Sequence, residues 1–189
     1  QYMTDTFIGT ARRIHEQLPA ASFLVPLVTR ETRVLFDAAL QRCAAEDLPI
    51  RMLFGHAHEA MMAADVVLVT SGTATLEAAL LKRPMVIAYK ISPLTHRLVR
   101  NRFYLPYFGL PNVLAGRFVV PEFIQHDATA ENLAQAVLNL RAEKGVCERL
   151  RRLFHEMHMH LRQNAAERAA AAVIGHLPPQ LRADVAATA

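Results

Sequence analysis

The residue types best suited to chemistry lie together in Asp65-Val66-Val67-Leu68-Val69-Thr70-Ser71-Gly72-Thr73-Ala74-Thr75-Leu76-Glu77. An apolar run ends in Ser-Gly-Thr, and a helical pattern opens directly after it. At the carboxyl end of a strand in an open parallel sheet, helix N-termini point free N–H groups into the ligand crevice. Those groups carry an effective charge of about +0.5, which suits a phosphate or pyrophosphate. Gly72 would let the backbone approach such a group, and Ser71, Thr73 and Thr75 add hydroxyl donors. Glu77, one turn further on, would repel a phosphate; it suits the vicinal hydroxyls of a ribose attached to one. A capping box needs Ser or Thr three positions before the Glu, and that position is Ala74. Capping therefore accounts for Ser71 or Thr73 and leaves Glu77 over. A carboxylate favoured there by the helix dipole alone stays open as the plainer account.

The elements that must position this turn can be read from the spacing of apolar residues. Phe7, Ile8, Ala11, Ile14 and Leu18 recur at helical intervals until Pro19. Residues 22–28 form a short apolar run, the pattern of a strand buried on both faces. Residues 30–46 read as a helix with Val34, Leu35, Ala38, Ala39 and Cys43 on its inner side. A strand over Ile50–Phe54, a brief helix over His56–Ala63 and a strand over Asp65–Val69 follow. A helix over Thr73–Leu81 leads to a strand over Pro84–Tyr89. Strands alternating with helices through short connections predict an α/β, Rossmann-like parallel sheet flanked by helices.

After Tyr89 the rhythm breaks. Residues 91–112, rich in Arg, aromatics and Pro, read as a helix followed by a long loop. Pro121–Gln125 reads as a short turn of helix and Thr129–Leu140 as a longer one. Val146–Ile174 is one long amphipathic helix or a broken pair, with a frayed tail after it. Residues 1–175 are thus expected to form one lobe, and 176–189 a flexible tail.

Composition excludes several classes. Of 189 residues, 52% are hydrophobic and 20% charged, which rules out intrinsic disorder. No apolar stretch approaches the ~20 residues of a membrane span, and no leader for export opens the chain. A net charge of +4 is small for a nucleic-acid binder but suits an anionic small ligand or an anionic membrane surface. Cys43 and Cys147 read as small buried hydrophobes of a reducing compartment. His155, His158 and His160 do not share one helix face, and their order is not that of a zinc protease, so no metal is expected. His56 near a strand end is a better site candidate than His58. Asn112 after Pro111 is either a ligand contact or a turn former. Glu122 after Pro121 reads as a helix-start carboxylate ahead of a ligand contact. His96–Phe108 interleaves cations with aromatics, a pattern that fits a membrane surface better than nucleic acid, with a solvated basic helix as the plain alternative.

The run from Ala64-Asp65 through Ser71–Glu77 to Arg83–Tyr89, then Leu110-Pro111-Asn112, then Val120-Pro121-Glu122, resembles the lipid A disaccharide synthase family. The likeness covers nearly the whole chain and only the carboxyl-terminal lobe of that family, a GT-B glycosyltransferase with two Rossmann-like lobes. The family's amino-terminal lobe, with its acidic catalytic residue, and its Gly-Ser-Arg motif have no counterpart here. The resemblance implies transfer of a diacylglucosamine from UDP to a diacylglucosamine phosphate acceptor in Gram-negative lipid A biosynthesis. It implies a nucleotide site made of Phe54, Gly55, His56, Ser71, Gly72, Thr73, Ala74 and Glu77, with Phe54–His56 walling uracil and Asn112 touching the donor.

It further implies no cofactor, no catalytic residue within this chain, and no glycosyl transfer by the chain alone. The partners implied are UDP-diacylglucosamine, the acylated glucosamine phosphate and the inner-membrane surface, with no nucleic acid; homo-oligomerisation stays open. Arg97, Arg100, Arg102, Phe103 and Tyr104, with Tyr107 and Phe108, would dock the enzyme as a cytoplasmic, peripheral protein on that membrane. The alternatives are another UDP-sugar GT-B protein (a peptidoglycan glycosyltransferase or a UDP-N-acetylglucosamine epimerase) and a non-catalytic nucleotide-binding module. Leu110-Pro111-Asn112 after the basic aromatic stretch speaks against the first two.

Overall fold

The protein folds as a parallel α/β structure whose computed structural model describes residues 3–70, 72–91 and 106–178. Helix α1 (Thr4–Gln17) leads into β1 (Phe23–Leu27), α2 (Arg30–Arg42) and β2 (Ile50–Phe54). These strands pair in parallel, with Phe23 opposite Ile50 and Leu27 opposite Phe54. Pro26 cannot donate to a ladder, and β1 tolerates it because its one strand partner among the described residues is β2. The start of α2 is fixed by Thr29, whose hydroxyl accepts from the Thr32 N–H while the Thr32 hydroxyl accepts from the Thr29 N–H, at 3.3 and 3.1 Å. These reciprocal bonds satisfy donors that a helix start leaves orphaned.

Helix α3 (Ala57–Ala63) leads to β3 (Val67–Thr70), α4 (Thr73–Leu80) and β4 (Met85–Tyr89). After residue 106 come α5 (Leu110–Ala115), β5 (Glu122–Ile124), α6 (Ala130–Ala142), α7 (Lys144–Leu161) and α8 (Ala165–His176). Strands β3, β4 and β5 form a second parallel sheet in that order, with Val67 opposite Met85 and Ile87 opposite Glu122. The expected Rossmann-like layering is present, but the strands fall into two sheets. No ladder joins β1 to β3 among the described residues; α3 bridges instead, packing on both β1 and α4.

The larger core lies around β4, where Met85, Val86, Ile87 and Ala88 are at most 1% exposed, so both faces of the strand are covered. Helices α4 and α6 pack on it, and α7 adds Leu150 and the fully buried Phe154. Burying a Phe side chain contributes about 1.5–3 kcal/mol relative to exposure. A smaller core joins α1 to the first sheet through Ile8, Ala11, Ala39, Leu40, Ala45 and Leu48.

Two local expectations are corrected. Pro121–Gln125 is not helical: the Ile87 N–H bonds the Pro121 carbonyl and the Gln125 N–H bonds the Tyr89 carbonyl, both at 2.9 Å, which zips β5 onto β4. Phe123 and Ile124 suit a pleated surface, and the free edge of β4 decided their state. Helix α2 stops at Arg42 and buries Ala39 and Leu40, leaving Val34 and Leu35 outward at 66% and 56% exposure. Its partners are α1 and β1, against which Ala39 and Leu40 pack with Ile8 and Ala11. Of the two readings of the long helical stretch near the end, the structure has the broken pair, parted where Asn164 takes a left-handed φ of 49°. Of the expected tail, 179–189 lies outside the described residues, as does 92–105 of the basic aromatic segment.

Candidate functional site

Strand β3 delivers the chain to the start of α4, and Gly72 turns it. Its φ of 138° belongs to the region that favours glycine, and no atom lies near where a Cβ would be. Among the described residues no side chain caps this helix start. Thr73 is exposed beside Gly72, whereas Thr75 is fully buried. The Thr75 hydroxyl donates to the Gly72 carbonyl at 2.7 Å and accepts from the Leu110 N–H at 3.2 Å, so its proton holds the turn and is not offered to a ligand. Ser71 lies outside the described residues.

Glu77 projects from the next turn of α4 with 42% of its side chain exposed. Its Oε2 lies 3.2 Å from Nε2 of His58, the second residue of α3. Two consecutive left-handed residues, Gly55 at φ 68° and His56 at φ 54°, turn the end of β2 into α3 and send His58 toward α4. Phe54, at the end of β2, is 47% exposed with the Arg33 guanidinium 5.7 Å from its ring centre. His56 faces its own helix, with Nδ1 3.5 Å from Glu59 Oε1. The Glu59 carboxyl is held below its ordinary range, chiefly by a backbone hydrogen bond and then by His56. The structure therefore brings His58 rather than His56 to Glu77. Sequence spacing carried no signal for this, because nineteen residues separate the pair and the juxtaposition depends on how α3 crosses α4.

Behind α4, the Leu-Pro-Asn and Pro-Glu stretches form a single lock. Asn112 is fully buried. Its Oδ1 accepts from the Val119 and Val120 N–H groups at 2.6 and 3.0 Å. Its Nδ2 donates to the Val120 carbonyl at 2.9 Å and to Glu122 Oε1 at 2.7 Å. These four bonds use the full capacity of an amide side chain. Glu122 also accepts from the Phe108 and Gly109 N–H groups at 2.9 and 2.8 Å, directly before α5. It begins β5 rather than a helix, and the helix start it serves is that of α5. Through Leu110 and Thr75 the lock reaches the Gly72 carbonyl, so the turn at α4 is braced from the far side of α5.

The remaining candidates are dispersed. Arg97, Arg100, Arg102, Phe103 and Tyr104 lie outside the described residues. Tyr107 stacks edge-on against Phe118 with centroids 5.4 Å apart, and its hydroxyl donates to the Gly116 carbonyl at 2.6 Å. His158 Nδ1 meets Lys82 Nζ at 2.5 Å. Among the described residues no group of three or more His, Cys, Asp or Glu could hold a metal ion, and no helix is long and apolar enough to cross a membrane.

Known proteins carry the same pattern along this chain. The family model for lipid-A-disaccharide synthetase matches residues 1–173. The chain belongs to this family. It is 58% identical over 173 residues to a lipid-A-disaccharide synthase of Dechloromonas aromatica, covering 91% of this chain and 45% of that protein. It is 54% identical over 174 residues to the Chromobacterium violaceum enzyme of that name, covering 92% and 45%. With the Methylobacillus flagellatus enzyme it shares 50% identity over 177 residues, covering 94% and 47%. The chain thus spans about half the length of the lipid-A-disaccharide synthases it matches.

Proposed function

We propose that this chain is the nucleotide-sugar-binding part of a lipid A disaccharide synthase of GT-B type, and that it holds UDP-diacylglucosamine at the start of α4. The observation that carries this reading is the conjunction at Gly72–Glu77: a helix start that no described side chain caps, reached through a left-handed glycine, with a half-exposed carboxylate one turn away. The helix start supplies N–H groups to a diphosphate, and Glu77 supplies an acceptor for ribose hydroxyls. Phe54, Gly55 and His56 would bound the base, and Ser71, Thr73 and Ala74 the phosphates. Family membership supports the choice of a sugar nucleotide over other phosphate ligands.

In the reaction, a hydroxyl of the acceptor diacylglucosamine phosphate attacks the anomeric carbon, the bond to the diphosphate breaks and UDP departs. The contribution of this chain is to orient the donor and to stabilise charge growing on the leaving diphosphate. The proton of the attacking hydroxyl must pass to a general base, a part that we assign to no described side chain of this chain. The Arg97, Arg100, Arg102, Phe103 and Tyr104 segment would meet the anionic inner-membrane leaflet, where each cation contributes about 1 kcal/mol near the surface.

Titration calorimetry of the chain with UDP tests the reading. Binding is expected, and Glu77→Ala should weaken it by about 1–3 kcal/mol, the cost of leaving polar groups unpaired. Equal affinity in wild type and variant would remove Glu77 from the site, and no binding by the wild type would remove the site.

A further inference from the structure

The least expected contact near α4 is the one between His58 and Glu77, and it has a consequence for which nucleotide the site prefers. A carboxylate beside a diphosphate-binding helix start is unfavourable unless its charge is partly met, and a free Glu side chain samples several rotamers. His58 answers both problems with Nε2 3.2 Å from Glu77 Oε2. It leaves Oε1 without a partner among the described residues. Both side chains are open to solvent, at 62% and 42% exposure, so the pair is accessible to a ligand and is not a buried structural bridge.

Around the pair, His56 just before α3 and Glu59 within it are engaged with each other, and β1 contributes no charged side chain. Arg83 reaches the Ala64 carbonyl at the end of α3. Among the described side chains, His58 alone bonds Glu77.

We propose that His58 is a positioning residue that fixes the Glu77 carboxylate to read a ribose 2′-hydroxyl, so that the site selects ribonucleoside over 2′-deoxyribonucleoside diphosphates. This rests on the assignment of α4 as the nucleotide site. With Oε2 held by the imidazole N–H, Oε1 presents a fixed acceptor to the sugar, and the rotamer freedom that a lone Glu would lose on binding is already lost. A hydrogen bond to a charged acceptor separates ligands that make it from ligands that cannot.

Calorimetric titration of the full chain with UDP and with 2′-deoxy-UDP measures this directly. The ratio of the two affinities cancels any general effect of the imidazole charge on the diphosphate. Wild type is expected to favour UDP by about 10–100-fold, the worth of one charge-assisted hydrogen bond. His58→Ala should reduce that ratio several-fold, and His58→Arg, which again offers an N–H donor, should restore it. In a Glu77→Gln background His58→Ala should leave the ratio unchanged. Circular dichroism of each variant confirms folding, which substitution of two exposed side chains should preserve. A ratio in His58→Ala equal to that of wild type, with UDP still bound, overturns the positioning role. Failure of wild type to bind either nucleotide overturns the nucleotide site itself, and the inference with it.

Discussion

The two sheets are held by opposite means. Around β1 and β2 the core is small and the cross-ties are exposed ion pairs: Arg12 with Asp47 at 2.7 Å, and Arg42 with Asp5. Around β4 the strand is buried on both faces, and the ties are buried or half-buried polar groups, Asn112, Thr75 and Glu122, whose bonds are made inside the protein. Exposed pairs lose most of their Coulomb energy to solvent. Hydrogen bonds inside the fold gain modestly when made but cost a great deal when one partner is lost. The region that braces the α4 turn is therefore intolerant of substitution, whereas the β1–β2 region tolerates loss of single contacts. The candidate site lies at their junction, with Glu77 from the rigid side and His58 from the helix that bridges to the other.

The largest effect should come from the lock. Asn112→Ala takes the side-chain acceptor from the Val119 and Val120 N–H groups and the donor from the Val120 carbonyl at once, and leaves Glu122 Oε1 with the Gly109 N–H alone. At about 1–3 kcal/mol for each orphaned group, partly relieved by relaxation, a loss of about 3–5 kcal/mol is expected in denaturant unfolding. A loss below about 1 kcal/mol would erase the contrast between the two regions.

Gly109→Ala probes the same lock sterically. A Cβ there would overlap Ile87 Cδ1 and lie 2.8 Å from Glu122 Oε1. Overpacking of this kind costs about 1–3 kcal/mol. The thermal midpoint should fall, and UDP affinity should fall with it, because the shift propagates through Leu110 and Thr75 to Gly72. Unchanged affinity at lowered stability would show that α5 does not brace the turn.

The smallest effect belongs to the other region. A hydrogen bond from Arg12 holds the Asp47 carboxyl below its ordinary value of 3.8. A depressed carboxyl contributes stability above its unfolded value, and that contribution is lost as pH falls through the lower folded value. Asp47→Asn should therefore lower the melting temperature slightly at pH 7 and approach wild type as pH falls below the depressed folded value, where both are neutral at this position. A large drop at pH 7 would place a structural keystone in the region that should have none.

What the sequence by itself determined is the order and type of most elements. The apolar runs at β1 to β4 and the helical spacing of α1 and α4 are local patterns, and backbone physics reads local patterns directly. The turn at Gly72 was legible for the same reason: a glycine with positive φ between a strand and a helix is a property of adjacent residues. Tertiary structure alone decided the rest. β5 is a strand because β4 offered it a free edge, and α2 turned Ala39 and Leu40 inward because that face is the one that meets α1 and β1. Asn112 and Glu122 stood out in the sequence, but their bonds span seven to fourteen residues and close only once α5 has docked. His58 met Glu77 because two left-handed residues aimed α3 across α4. Such contacts depend on where whole elements come to rest, and that is set by the burial of residues far from either partner.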